Sequence, residues 1–213
     1  MTILLLIRHA HTDAAGKRLM GWSRGVHLND RGRREATELV GRLEGLPVRA
    51  VYASPLERCR ETAAPFARAR GLSVSVRRGL LEVDYGDWTG RTIADVRRTK
   101  RWRLVQHTPS RFRFPGGESL LDVQTRAVAE IERIARAHPR DVVAVVTHAD
   151  VVRLVLLHYA GMHLDGLQRL VVDPASVSVL AMQDGGVRVL KVNDTGGLSG
   201  LVPRRVTRGK VRG

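Results

Sequence analysis

A chain of 213 residues with 43% hydrophobic and 27% charged side chains is long enough for one domain with a sizeable core, burying roughly 70% of its unfolded surface. The formal charge of +15, from 36 Lys and Arg against 21 Asp and Glu, favours phosphate-bearing partners of any size without choosing among them, while 4% aromatics offer single-stranded bases little to stack on. Cys59 as the only cysteine excludes an intramolecular disulfide and a thiolate-rich metal site, and the apolar run at residues 3–7 is too short for a signal h-region or a membrane span, so a cytoplasmic protein is expected.

In chain order, residues 3–7 form an unbroken apolar run, the pattern of a strand covered on both faces, and it leads directly into Arg8-His9-Ala10-His11-Thr12. Asn29-Asp30 caps a helix to about residue 46, with Ala36, Leu39, Val40 and Leu43 as its apolar stripe and Pro47 as its stop. Residues 50–53 read as a strand, followed by a helix with Ser54 as N-cap and Pro55 at its first position, ending near Arg70 before Gly71. Residues 72–76 are a third strand. The stretch 79–115 is irregular, punctuated by Gly86, Gly90, Pro109 and Pro115, with one short helix over 93–101; it reads as a lid or pocket wall. A long helix covers 118–137, a β-branched buried strand 141–147 and a helix 150–159. A hairpin of 176–182 and 187–192 turns at Asp184-Gly185-Gly186, at a sheet edge. Beyond it the basic, Gly-rich residues 199–213 read as a disordered tail, which leaves 1–198 as the domain. The alternation predicts an α/β fold: a single three-layer domain whose central sheet is mainly parallel, with helices on both faces and a C-terminal edge hairpin.

Five charged or imidazole groups fall at four positions just past predicted strands. Arg8 and His9 follow the first, Arg58 lies one turn beyond Ser54 after the second, Glu82 follows the third, and His148 follows 142–147. In an open α/β sheet such positions converge at one edge. Two histidines, two arginines and a carboxyl group suit phosphoryl transfer through a histidine. A neutral imidazole attacks phosphorus, guanidinium forks hold the equatorial oxygens, and a carboxylic acid protonates the leaving oxygen. Spacing alone leaves Glu82, Asp84 and Asp87 equal as that acid.

The run Leu6-Ile7-Arg8-His9-Ala10-His11-Thr12 resembles the opening signature of the histidine phosphatase superfamily, the phosphoglycerate-mutase-like group. Further matches follow in order: Gly21-Trp22 with Leu28-Asn29-Asp30-Arg31-Gly32; Tyr52-Ala53-Ser54-Pro55-Leu56-Glu57-Arg58; Glu82 before Gly86-Asp87-Trp88-Thr89-Gly90; Pro115-Gly116-Gly117-Glu118-Ser119; and Val145-Val146-Thr147-His148. The resemblance implies that His9 is phosphorylated, that Arg8, Arg58 and His148 form the phosphate pocket, and that Glu82 is the proton donor. It also puts Met20, Gly21 and Trp22 at the pocket and requires no metal and no cofactor.

Three features depart from the family pattern: Ala10 and Ala149 stand where glycine is usual, the loop to Met20 is one residue short of its asparagine, and Met20 replaces a polar side chain, with Lys17 or Arg18 as substitutes. His11, where glutamate is frequent, is expected at the pocket edge. The short interval from Glu82 to Pro115 favours a water-accessible phosphatase acting on a small phosphorylated metabolite, with a phosphoglycerate-type mutase as the alternative. Behind these rank a metal-dependent hydrolase built on His9, His11, Asp13, His148 and Asp150, and a basic nucleic-acid-binding module. The expected partner is the small substrate, with no membrane and no nucleic acid; a homodimer is left open.

Overall fold

An apolar run with no polar face must be covered twice, and in the computed structural model, which describes residues 1–183 and 185–196, it lies inside a six-stranded sheet flanked by helices. The elements are β1 (Thr2–Arg8), α1 (Asp30–Arg42), β2 (Val48–Ala53), α2 (Glu57–Ala69), β3 (Val74–Val76), α3 (Ile93–Arg97), α4 (Lys100–His107), α5 (Leu120–Ala137), β4 (Val142–Thr147), α6 (Ala149–Tyr159), β5 (Val177–Gln183) and β6 (Gly186–Asp194). The sheet order is β3-β2-β4-β1-β5-β6. The first four strands of that order pair in parallel, while β5 runs antiparallel to β1 and forms the edge hairpin with β6. The predicted architecture is the observed one. The tail at 199–213 lies outside the described residues.

Successive β1 residues serve two cores. Leu5 and Ile7 pack with Ala36 and Leu39 of α1, Leu43 just beyond it and Phe66 of α2; Leu4 and Leu6 pack with Ile131 of α5 and Leu154 of α6. Each fully buried leucine of this kind contributes about 1.5–3 kcal/mol. No helix among the described residues is long and apolar enough to cross a membrane.

Several element boundaries differ from expectation for local reasons. Helix α1 ends at Arg42 rather than near 46, because the chain turns through Gly45 at φ +80°. Ser54 does not cap α2: the helix begins at Glu57 after Leu56, without a side-chain cap. The helix expected over 93–101 is two, since the Thr99 side chain accepts from Trp102 N–H and starts α4. Helix α5 starts two residues late, behind a capping box of Ser119 and Asp122.

One glycine fixes how the middle segment crosses itself. Gly86 has φ +51°, and a Cβ there would overlap the Pro115 carbonyl oxygen. The same crossing is held by Asp87 N–H donating to that carbonyl at 2.8 Å and Glu118 N–H to Asp84 O at 3.0 Å. Gly86→Ala combines left-handed strain with overpacking, so urea denaturation is expected to read a stability loss of about 2–4 kcal/mol. An unchanged midpoint would contradict this crossing.

Candidate active site

Parallel pairing of β4 with both β1 and β2 brings three strand ends level, with Arg8 opposite Thr147 and Ala53 opposite Val146. The next residue of each strand, His9, His148 and Ser54, therefore emerges at the carboxyl edge of the sheet. His9 N–H donates to Thr147 O at 2.8 Å and Ser54 N–H to Val146 O at 3.0 Å, extending the alignment by one residue. The two imidazoles stand edge to face, 5.3 Å between centroids.

His9 is fixed in orientation by its own neighbour. Its Nδ1 lies 2.8 Å from the Ala10 carbonyl; a carbonyl only accepts, which assigns the proton to Nδ1 and leaves the Nε2 lone pair free. Burial, reinforced by the Arg58 charge, lowers its pKa to about 3, so the ring is neutral at physiological pH. His148 has no exposed surface. Its Nε2 meets the Ser54 hydroxyl at 2.8 Å and its Nδ1 lies 3.9 Å from Glu82 Oε2. Burial, then the Arg58 charge, holds it neutral as well. The Ser54 hydroxyl thus faces His148 instead of a helix terminus.

The guanidinium groups are partly saturated. Arg58, the second residue of α2 and only 3% exposed, donates from Nη2 to Gly21 O at 2.8 Å, but its buried Nη1 has no protein partner. Arg8 donates from Nη1 to Val172 O at 2.7 Å while its buried Nε is unpartnered. A buried charged donor left unpaired costs more than the 1–3 kcal/mol of a neutral one, and the economical account is an anionic ligand that accepts from both. Thr62 braces this side: its hydroxyl accepts from Ala10 N–H at 3.0 Å and donates to Arg58 O at 2.7 Å.

Of the three acids that spacing left equal, only Glu82 lines the same cavity as His9; Asp84 and Asp87 do not. Glu82 Oε1 accepts from Val83 N–H at 3.0 Å. Burial, with the nearby Asp150 charge, raises its pKa to about 7, so at neutral pH a large share of this carboxyl carries its proton.

The cavity is about 400 Å³ and takes Arg8, His9, Arg58 and Glu82 into one wall system with Met20 and Gly21. Trp22 does not line it; 37% exposed, it donates from its indole N–H to Glu82 O at 2.7 Å. Of the two cations weighed as substitutes in the short loop, Arg18 lines the cavity, holding Gly90 O at 2.9 Å, and Lys17 does not. Arg97 of α3 and Trp102 and Gln106 of α4 close one side, so the irregular middle segment is a pocket wall. His11 turns elsewhere, its Nδ1 2.7 Å from Glu35 Oε1. Among the described residues no group of three or more His, Cys, Asp and Glu side chains is arranged to hold a metal ion.

Sequence reasoning missed Arg153 and Arg126 and weighed Asp150 only as a ligand of the metal-dependent alternative. Asp150 and Arg153, one turn apart on α6 and paired at 3.1 Å, both line the cavity; their place in the first turns of the helix after His148 was the available signal. Arg126 holds the backbone beneath Glu82 from the middle of α5, where nothing local marks it.

The comparisons agree with this geometry. Residues 4–195 match the sequence profile of the histidine phosphatase superfamily, branch 1. The chain is 30% identical to phosphoserine phosphatase 1 of Hydrogenobacter thermophilus over 200 residues, covering 92% of this chain and 93% of that protein. It is 34% identical to a bifunctional protein of Mycobacterium tuberculosis over 203 residues, 92% of this chain but 54% of that one. Among solved structures, Bacillus stearothermophilus YhfR superposes with TM-score 0.85 at 28% identity, covering 91% of this chain and 98% of that one. With the profile spanning nearly the whole described chain and the motif residues gathered at one sheet edge, this protein belongs to the histidine phosphatase superfamily.

Proposed function

We propose that this phosphomonoester hydrolase moves the phosphoryl group of a small phosphorylated metabolite first to Nε2 of His9 and then to water. The observation that carries the reading is the pairing of a neutral His9, its Nε2 free, with unpartnered guanidinium N–H groups of Arg8 and Arg58 in one cavity. In the first displacement the Nε2 lone pair forms the N–P bond as the P–O bond to the leaving group breaks. Arg8, Arg58 and His148 hold the equatorial oxygens. The Glu82 carboxyl gives its proton to the departing oxygen and becomes a carboxylate. In the second, water attacks phosphorus and passes a proton to that carboxylate, the N–P bond breaks, and phosphate leaves His9 neutral.

The substrate is small because the cavity, about 400 Å³, is of the size that encloses metabolites rather than nucleic acid or protein. Beyond the phosphate, Arg97, Arg153 and Asp150 make the wall polar and charged. Phosphoserine is the first compound to assay, since a relative of comparable length bears that activity in its name. The proposed setting is cytoplasmic, in keeping with a single buried cysteine, Cys59.

Hydrolysis of p-nitrophenyl phosphate is expected to persist in excess EDTA and to be blocked by orthovanadate, which adopts the trigonal bipyramid of in-line phosphoryl transfer. Loss of activity in EDTA with rescue by zinc would overturn the proposal in favour of a metal-dependent hydrolase.

A further inference from the structure

The segment carrying Glu82 has no ladder of its own. It lies between a short 3-10 turn at Arg78–Leu80 and another at Gly86–Trp88, so its backbone groups depend on side chains for partners. Arg126, which does not line the cavity, supplies three of them. Its Nη1 donates to Gly79 O at 3.1 Å and Leu81 O at 2.7 Å, and its Nη2 to Glu82 O at 2.8 Å. Its Nε and Nη2 also bind the two carboxylate oxygens of Glu118 at 2.8 and 2.9 Å. Glu118 Oε2 in turn accepts from Asp84 N–H at 2.9 Å. The pair therefore grips the chain on both sides of Glu82, and Trp22 adds a third hold at the Glu82 carbonyl.

We propose that Arg126 and Glu118 form a positioning unit for proton donation: by fixing the backbone from Gly79 to Asp84, they set where the Glu82 carboxyl meets the leaving oxygen. The inference rests on the reading of Glu82 as proton donor. Only a guanidinium has the planar fork to bind a carboxylate and three carbonyls at once; a lysine ammonium has three donors and no plane. Carbonyls of one turn and the residues beyond it otherwise splay from a common point, and Arg126 supplies that point with its charge matched by Glu118. A displaced donor fails selectively. A poor leaving group, such as an alkoxide, needs its proton in the transition state, whereas p-nitrophenolate leaves without one.

The test is kcat/KM on phosphoserine or another alkyl phosphate and on p-nitrophenyl phosphate, for Arg126→Met, Arg126→Lys, Glu118→Gln and Glu82→Gln, with thermal unfolding of each variant. Arg126→Met is expected to lose about 10–100-fold on the alkyl phosphate, the scale of a small misplacement of a reacting group, and about 3-fold or less on the aryl ester. Arg126→Lys is expected to recover only part of the loss, and Glu118→Gln to show the same selectivity at smaller amplitude. If Arg126→Met does not fold, Glu118→Gln carries the test. Equal losses on both substrates, or none, in variants that fold would overturn the positioning role while Glu82→Gln remains selective. If Glu82→Gln is itself unselective, the donor assignment fails, and the positioning role fails with it.

Discussion

His9→Ala is expected to lower kcat by about 10⁴-fold or more on every phosphomonoester, the loss typical of removing a covalent nucleophile. Among the residues that line the cavity His9 is the one imidazole, and there is no thiol; behind it, His148 Nε2 is engaged by Ser54 at 2.8 Å, and burial pushes the Cys59 thiol above the physiological range. The guanidinium groups of Arg8 and Arg58 remain in the variant, so substrate still binds and KM is expected to change far less than kcat. Steady-state assays against the wild type measure this directly. A loss below about 10-fold would mean that water attacks the substrate without covalent capture.

Glu82→Gln is expected to cost about 10²–10⁴-fold in kcat/KM on alkyl phosphates, the usual contribution of a positioned general acid, and much less on p-nitrophenyl phosphate. Its pH dependence has a definite sign. In the proposed mechanism Glu82 acts in its protonated form, and its pKa is raised to about 7, so kcat/KM on alkyl phosphates should fall as pH rises through neutrality. His9, lowered to about 3, stays neutral throughout that range and contributes no limb there. The substrate's own second phosphate ionisation, near pH 6, is common to wild type and variant. The alkaline limb should therefore disappear in Glu82→Gln while any substrate limb remains. An identical alkaline limb in the variant would assign that titration to another group.

The parts of the fold that the chain displays locally were legible in it. The unbroken apolar run of β1 is what two helical layers require, and of the stripe Ala36, Leu39, Val40 and Leu43, all but the half-buried Val40 are fully buried. What was not legible depends on contacts between distant residues. Ser54 looked like a helix cap because its chemistry suits one, but the hydroxyl is taken by His148, 94 residues away. The split between α3 and α4 turns on one threonine side chain in a run where helix propensity is continuous. At the site, the parallel register makes neighbours of the strand ends that carry Arg8, His9 and His148, and Arg58 comes to the same cavity as Arg8 and His9 from the second position of α2. Spacing could not separate Glu82 from Asp84 and Asp87, whereas in the folded chain only Glu82 of the three lines the cavity. Arg126 had little signal: three of its five short contacts reach backbone carbonyls 44 to 47 residues away, which no helical period connects to it.

The central claim is a phosphoryl group on one nitrogen of one histidine. Rapid quench after mixing enzyme with ³²P-labelled substrate, followed by peptide mapping, tests it most directly. The account predicts label on His9 at Nε2, stable in base and released in acid, because Nδ1 is committed to the Ala10 carbonyl. Label on any other side chain, or an acid-stable phosphoester, would contradict it.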